Sequence, residues 1–302
     1  MTTPISTARA EAAHAEAANA EAASAEAASA EAAERRARWR DLLGSEWIKL
    51  WSLRSTGLVL GCLIVMYVYL AYKGAVSAYD AWPAMADWMK ADWDLAHDAF
   101  DMPTFLLLQA TVGTVGAMTV SGEYASGLIR TSLTAVPDRN RVMLAKVAVV
   151  AGVLAAVGLV LSTLIWAVTF MVFSDRIPSY SFSNPGVWRG ILATTLMVPV
   201  CGLIGTALAA LIRNTAGTVF AVLAFFLVGP VAVKGYVPLL GTDLRNHIAD
   251  ALPPYAWFRL CDMSHGRVVG HLQSVPAAWS ALIGWGVVSV AVVVLMQRRR
   301  DV

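Results

Sequence analysis

The long apolar stretches of this chain contain no charge. Six of them, in a sequence of 302 residues, are long enough to cross a bilayer, and none holds an Asp, Glu, Lys, Arg or His at its centre. Proton- and sodium-driven carriers generally need such groups at mid-membrane, so that class is disfavoured. No Gly-x-x-x-x-Gly-Lys-Ser/Thr run occurs, so the chain does not bind ATP through a P-loop. Cysteine is scarce. Cys62, Cys201 and Cys261 form no CxxC, which argues against a disulfide framework or a zinc site and leaves them as small core residues. There is no HExxH, no Ser/His/Asp constellation and no pair of intramembrane aspartates. His247, His265 and His271 share an outer region with Asp262. His265 and His271 are six apart, on different sides of any helix, and read as solvated loop residues rather than metal ligands. The first 33 residues are not apolar, so no signal peptide is expected and the first span would be an uncleaved anchor.

Apolar residues make up 58% of the chain and the mean hydropathy is +0.60, against about 45–50% apolar in soluble domains. An all-α integral membrane protein is expected. The spans read as Thr56–Tyr72, Thr104–Val120, Val147–Phe173, Ile191–Ile212, Thr215–Val233 and Pro276–Met296. The first two are the shortest, so their ends must snorkel or thin the bilayer. With both termini inside, the inner segments hold 14 Lys and Arg, leaving Arg9 aside, and the longer outer loops hold 8. That asymmetry gives a multi-pass protein with both ends cytoplasmic. The basic residues are topological, and no nucleic-acid partner follows from the net charge of +2.

Residues 1–34 are an Ala/Glu tail whose five-residue repeats begin at Glu11, Glu16, Glu21, Glu26 and Glu31. Each repeat advances about 140° around a helix, so no stripe forms and a solvated tail is expected. Residues 35–55 read as an amphipathic interfacial helix. Arg38, Asp41, Ser45, Lys49 and Ser52 form its polar stripe, and Trp39, Trp47 and Trp51 lie on the opposite arc. Glu46 projects from the apolar arc and needs a partner. Lys49 is three residues on; the alternative is a basic residue in another cytoplasmic element, which would fix this helix to the rest. Residues 56–302 would form the six-span domain. In its outer loops, a short surface helix is expected between Met85 and Phe100. A second interfacial element, broken by Pro253-Pro254, is expected near Trp257.

The neutral polar residues of the spans are expected to bond to their own helices. Gln109, Thr111 and Thr114 could instead line a weakly polar path. Gly57-x-x-x-Gly61 allows a close helix approach in the first span. After the second span comes Ser121-Gly122-Glu123-Tyr124, then Gly127-Leu128-Ile129-Arg130-Thr131 and Pro137-Asp138-Arg139. Gly122 would break the span and a short amphipathic helix would follow to about Thr134. Pro137-Asp138 would then turn the chain into the third span.

Ser45-Glu46-Trp47-x-Lys49-Leu50, with Leu53-Arg54-Ser55, resembles the entry sequence of type-2 ABC transporter permeases, actinobacterial ones in particular. Ser121-Gly122-Glu123-Tyr124 with Gly127-x-Ile129-Arg130-Thr131 and Pro137-x-Arg139 resembles their cytoplasmic coupling loop. The resemblance runs from about Gly44 to the C-terminus. It implies an exporter subunit in a bacterial plasma membrane, without an ATPase site or cofactor of its own. ATP and Mg would sit on a separate ATP-binding subunit, and a second permease copy or a relative would complete a dimer. Gly122, Glu123, Tyr124, Leu128, Ile129 and Arg130 would contact the ATPase, with Glu46, Trp47 and Lys49 of the interfacial helix beside them. The neutral spans suit an amphipathic or lipid-like cargo. Two competitors are a non-transporting scaffold or sensor and a membrane-embedded enzyme.

Overall fold

The computed structural model describes residues 38–52, 54–91, 93, 95, 99, 101–126, 139–177, 182–235, 242–262 and 273–298, together with Glu21 and Ser24. Every regular element among them is helical. Helix α1 is Trp39–Ser52, α2 is Arg54–Ala81, and α3 is the short Asp87–Ala91. Helix α4 is Met102–Ser126, α5 is Arg139–Phe173 and α6 is Pro185–Ile212. Helices α7 (Thr215–Leu223) and α8 (Gly229–Gly235) flank a π-helical turn at Ala224–Val228. Then come α9 (Thr242–Ala251), α10 (Pro253–Cys261) and α11 (Val275–Arg298). The chain divides into two units after Leu42, inside α1, and the unit Leu43–Val302 contains every span.

Six helical stretches are long and apolar enough to cross a membrane, and all six coincide with the expected spans. Their lengths differ from expectation. The first stretch runs to 30 residues, and the shortest is the fifth, with 19. Lys73 reads as a terminus, yet α2 continues past it because the next turns have partners. Ala75 is fully buried, and the Tyr79 ring packs edge-on to Phe173. The Tyr79 hydroxyl donates to Asp175 at 2.8 Å, and Arg176 stands 3.5 Å over the ring while donating to the Tyr79 carbonyl.

Helix α6 is the centre of the domain and packs against α4, α5, α7, α10 and α11. Of its most apolar stretch 67% is buried, against 22% for the first and fifth spans and 17% for the sixth. Those three therefore leave most of their surface uncovered by the rest of the chain. Asn184 caps the start of α6 by accepting from the Gly186 N–H, with Pro185 in the first turn. At its other end Arg213 takes the left-handed region (φ 58°), and Asn214 at once caps α7.

Glycine sets the closest approaches. A Cβ on Gly116 would overlap the Gly202 carbonyl, and one on Gly205 would overlap the Gly113 carbonyl. Helices α4 and α6 thus cross backbone to backbone at two glycine pairs of equal spacing. A Cβ on Gly113 would also stand 2.8 Å from the Phe226 ring of the fifth span. In the first span, a Cβ on Gly57 would meet the Trp51 ring at 3.5 Å, and one on Gly61 meets nothing of this chain within 4 Å.

The segments between the spans correct one reading. Between Trp82 and Ala91 there is a short 3₁₀ turn and the five-residue α3, and Leu95 and Ala99 beyond them are buried. Met89 on α3 is exposed, and much of the helix expected from there up to Phe100 lies outside the described residues. Pro253-Pro254 begins a helix instead of breaking one, since a first turn needs no intrahelical N–H donor. Helix α10 is buried rather than interfacial: Trp257 is fully enclosed, stacks on Phe105 and donates to Thr194 Oγ1 at 3.0 Å. Arg189 donates to the carbonyls of Leu260 and Asp262, and Arg259 pairs with Asp262 at 3.0 Å. Cys261 is likewise buried, with its Sγ 3.8 Å from Thr194 Oγ1, whereas Cys62 is exposed rather than in the core, and His247 is exposed.

Candidate functional site

Glu46 lies on the third turn of α1 and is 4% exposed, which demands compensation for its charge. Both readings of its partner hold at once. One carboxylate oxygen accepts from Lys49 at 2.6 Å, and the other from Lys146 of α5 at 2.6 Å. Lys146 is itself 6% exposed. The two lysines differ in kind: the Lys49 side chain is 42% exposed, whereas that of Lys146 is 7% exposed. Burial by itself would raise the Glu46 carboxyl pKa. The opposing ammonium groups, Lys146 foremost, hold it below the ordinary carboxylate value.

This pair joins α1 to the start of the third span. Lys146 is two turns into α5, the helix that emerges from the segment between the second and third spans. The sequence marked Lys146 only as one of the inner basic residues. Its distance from Glu46, 100 positions along the chain, hid the pairing. Large apolar side chains on the same α1 helix remain open: Trp47, Ile48 and Trp51 are all exposed, and the Trp47 and Trp51 rings lie 5.7 Å apart.

The segment between the second and third spans is described at both ends. The apolar span ends at Gly122, but the helix does not break there. Gly122 is exposed, and a glycine costs an exposed helix only about 1 kcal/mol. Helix α4 therefore carries Glu123 and Tyr124 in its last turn and ends at Ser126. Leu128, Ile129 and Arg130, with the helix expected up to Thr134, lie outside the described residues.

The three residues assigned to a polar path are not brought to one surface. Thr111 Oγ1 donates to the Leu107 carbonyl at 2.7 Å and lies 3.0 Å from the Tyr67 hydroxyl. Thr114 donates to the Ala110 carbonyl at 2.8 Å. Gln109 lies about 140–200° around the helix from them. It is 2% exposed, and its amide nitrogen and oxygen have no hydrogen-bond partner among the described residues. Most other polar side chains of the spans do bond to their own helix, as with Thr163 to Leu159, Thr169 to Ile165 and Thr206 to Leu203. Among the described residues no group of His, Cys, Asp and Glu could hold a metal ion.

No curated protein matches the chain. Residues 42–230, more than half of its length, match the family model described as ABC-2 family transporter protein. The matched part begins in α1, includes the Glu46–Lys146 tie and the whole segment around Gly122–Arg130, and ends in the fifth span. This multi-pass membrane protein therefore belongs to the ABC-2 family of transporters.

Proposed function

We propose that the chain is the membrane-spanning subunit of an ATP-driven exporter in a bacterial plasma membrane, both termini cytoplasmic, moving an amphipathic or lipid-like cargo. A separate ATP-binding subunit supplies the energy and carries ATP and Mg, and a second permease completes the dimer. Gly122, Glu123, Tyr124, Leu128, Ile129 and Arg130 form the coupling element that the ATPase displaces. Helix α1 lies at the cytoplasmic interface with Trp47 and Trp51 at headgroup depth.

The observation that carries this reading is the buried Glu46–Lys146 pair. It binds α1 to α5 directly after the coupling segment, so the two helices move as one body when the segment is pushed. Helix α5 in turn presses on α6 at Gly158, where a Cβ would stand 2.9 Å from the Thr195 carbonyl. A push at the loop thereby reaches the central helix through contacts with no slack. The pathway lies between two permease copies, and the Thr111 and Thr114 side of α4 supplies its weak polarity.

Glu123→Ala and Arg130→Ala, each assembled with the ATP-binding subunit in vesicles, test the coupling element. A coupling free energy of about 1–3 kcal/mol corresponds to roughly a 5- to 150-fold effect, so transport per ATP hydrolysed should fall at least about fivefold, with the spans still folded. Wild-type coupling in both variants would remove the assignment.

A further inference from the structure

Helices α2 and α5 leave an open groove of 360 Å³ between them. Ile64, Val68, Tyr69 and Tyr72 of α2 form one wall, and Leu164 and Val168 of α5 form the other. The lining is almost wholly carbon. From Ile64 to Tyr72 the groove is about 12 Å long, and an extended polymethylene chain fits along it.

Its depth fits one leaflet. Ile64 stands about 13 Å along the helix from Ser55, where the first span begins. Lys73 stands about 27 Å along it, close to the far edge of a hydrocarbon core about 30 Å thick. Counted from Ser55, the groove thus begins about halfway across such a core and ends near its far edge. Val65, Tyr69 and Lys73 follow at four-residue steps, which puts the ammonium one turn beyond the groove on the same stripe. Lys73 is exposed and has no acidic partner among the described residues. Tyr69 and Tyr72 are 58% and 46% exposed. The next cation upward, Arg176, is already engaged by Tyr79.

We propose that this groove holds one acyl chain of an anionic glycerophospholipid, with the lipid phosphate against Lys73 and the Tyr69 and Tyr72 hydroxyls as further donors. The site needs only membrane insertion and stands whether or not the chain exports a lipid.

The test is native mass spectrometry of the full chain in mild detergent. It is offered phosphatidylglycerol, phosphatidylcholine of the same acyl chains, or inorganic phosphate. One basic residue at a membrane surface changes anionic-lipid binding roughly fivefold. Phosphatidylglycerol should be retained over phosphatidylcholine by about that factor, and inorganic phosphate should neither bind nor compete. Lys73→Gln, a surface change that leaves the fold alone, should abolish the headgroup preference while chain binding persists. Leu164→Trp, which fills the groove, should lower retention of both lipids. Equal retention of the two lipids by the unmodified chain, an unchanged preference in Lys73→Gln, or competition by inorganic phosphate would each overturn the proposal.

Discussion

Glu46→Ala is expected to destabilise the membrane domain by about 3–5 kcal/mol, the range for removing one partner of a buried ion pair. The cost comes from Lys146. Its side chain is 7% exposed, so without the carboxylate a buried ammonium loses the counter-charge that Glu46 supplies. Lys49→Ala should cost no more than about 1 kcal/mol, because that side chain is 42% exposed and its pair is screened by solvent. Glu46→Leu combined with Lys146→Met replaces both charges by apolar groups and should recover most of the loss. Thermal unfolding in detergent reads all three variants. The pH dependence carries a sign as well. The Glu46 carboxyl is depressed in the folded protein, so the tie contributes fully above the ordinary carboxylate range and is lost as pH falls through the folded value. The stability gap between the unmodified chain and Glu46→Gln should close on acidification. A Glu46→Ala variant within about 1 kcal/mol of the parent, or a gap that widens in acid, would contradict the buried tie.

Gly205→Ala should be nearly as damaging, although it adds a single methyl group. That methyl would sit on the Gly113 carbonyl, and its counterpart on Gly116 would sit on the Gly202 carbonyl. Neither obstacle is a side chain that can swing away, so helices α4 and α6 must separate along their whole length. Overpacking usually costs about 1–3 kcal/mol, and a rigid backbone obstacle places this change at the upper end or beyond. Gly205→Leu should yield no folded protein. Gly152→Ala is the matched control: a Cβ there meets nothing within 4 Å, and alanine is the better helix former by about 1 kcal/mol. It should unfold at or above the parent's temperature. Equal unfolding temperatures for Gly205→Ala and Gly152→Ala would show that the two helices do not touch as described.

The spans themselves were legible because length and apolarity suffice to find a bilayer-crossing helix. Their ends were less so. Lys73 has the chemistry of a terminus, and only the long-range contacts of Tyr79 with Phe173, Asp175 and Arg176 carry α2 past it. Pro253-Pro254 reads equally as a break or as a first turn, and the burial of Trp257 decides which. At the candidate site, Lys49 was visible as a neighbour on the same helix, whereas Lys146 required the fold. The glycine crossing did leave a signal in the equal spacing of Gly113/Gly116 and Gly202/Gly205, but only the packing of α4 on α6 shows that those glycines meet. Gln109 looked like a companion of Thr111 and Thr114, yet helical geometry sends it to another side of α4.

The most direct test of the central claim is co-purification of the full chain in mild detergent with candidate ATP-binding subunits, followed by the ATPase rate of whatever assembles. A permease driven by a separate ATPase should give a stable complex whose ATPase rate falls when Glu123 is changed to Ala. A chain that purifies alone, or a complex whose ATPase ignores that change, would contradict the claim and shift the reading to a non-transporting membrane scaffold.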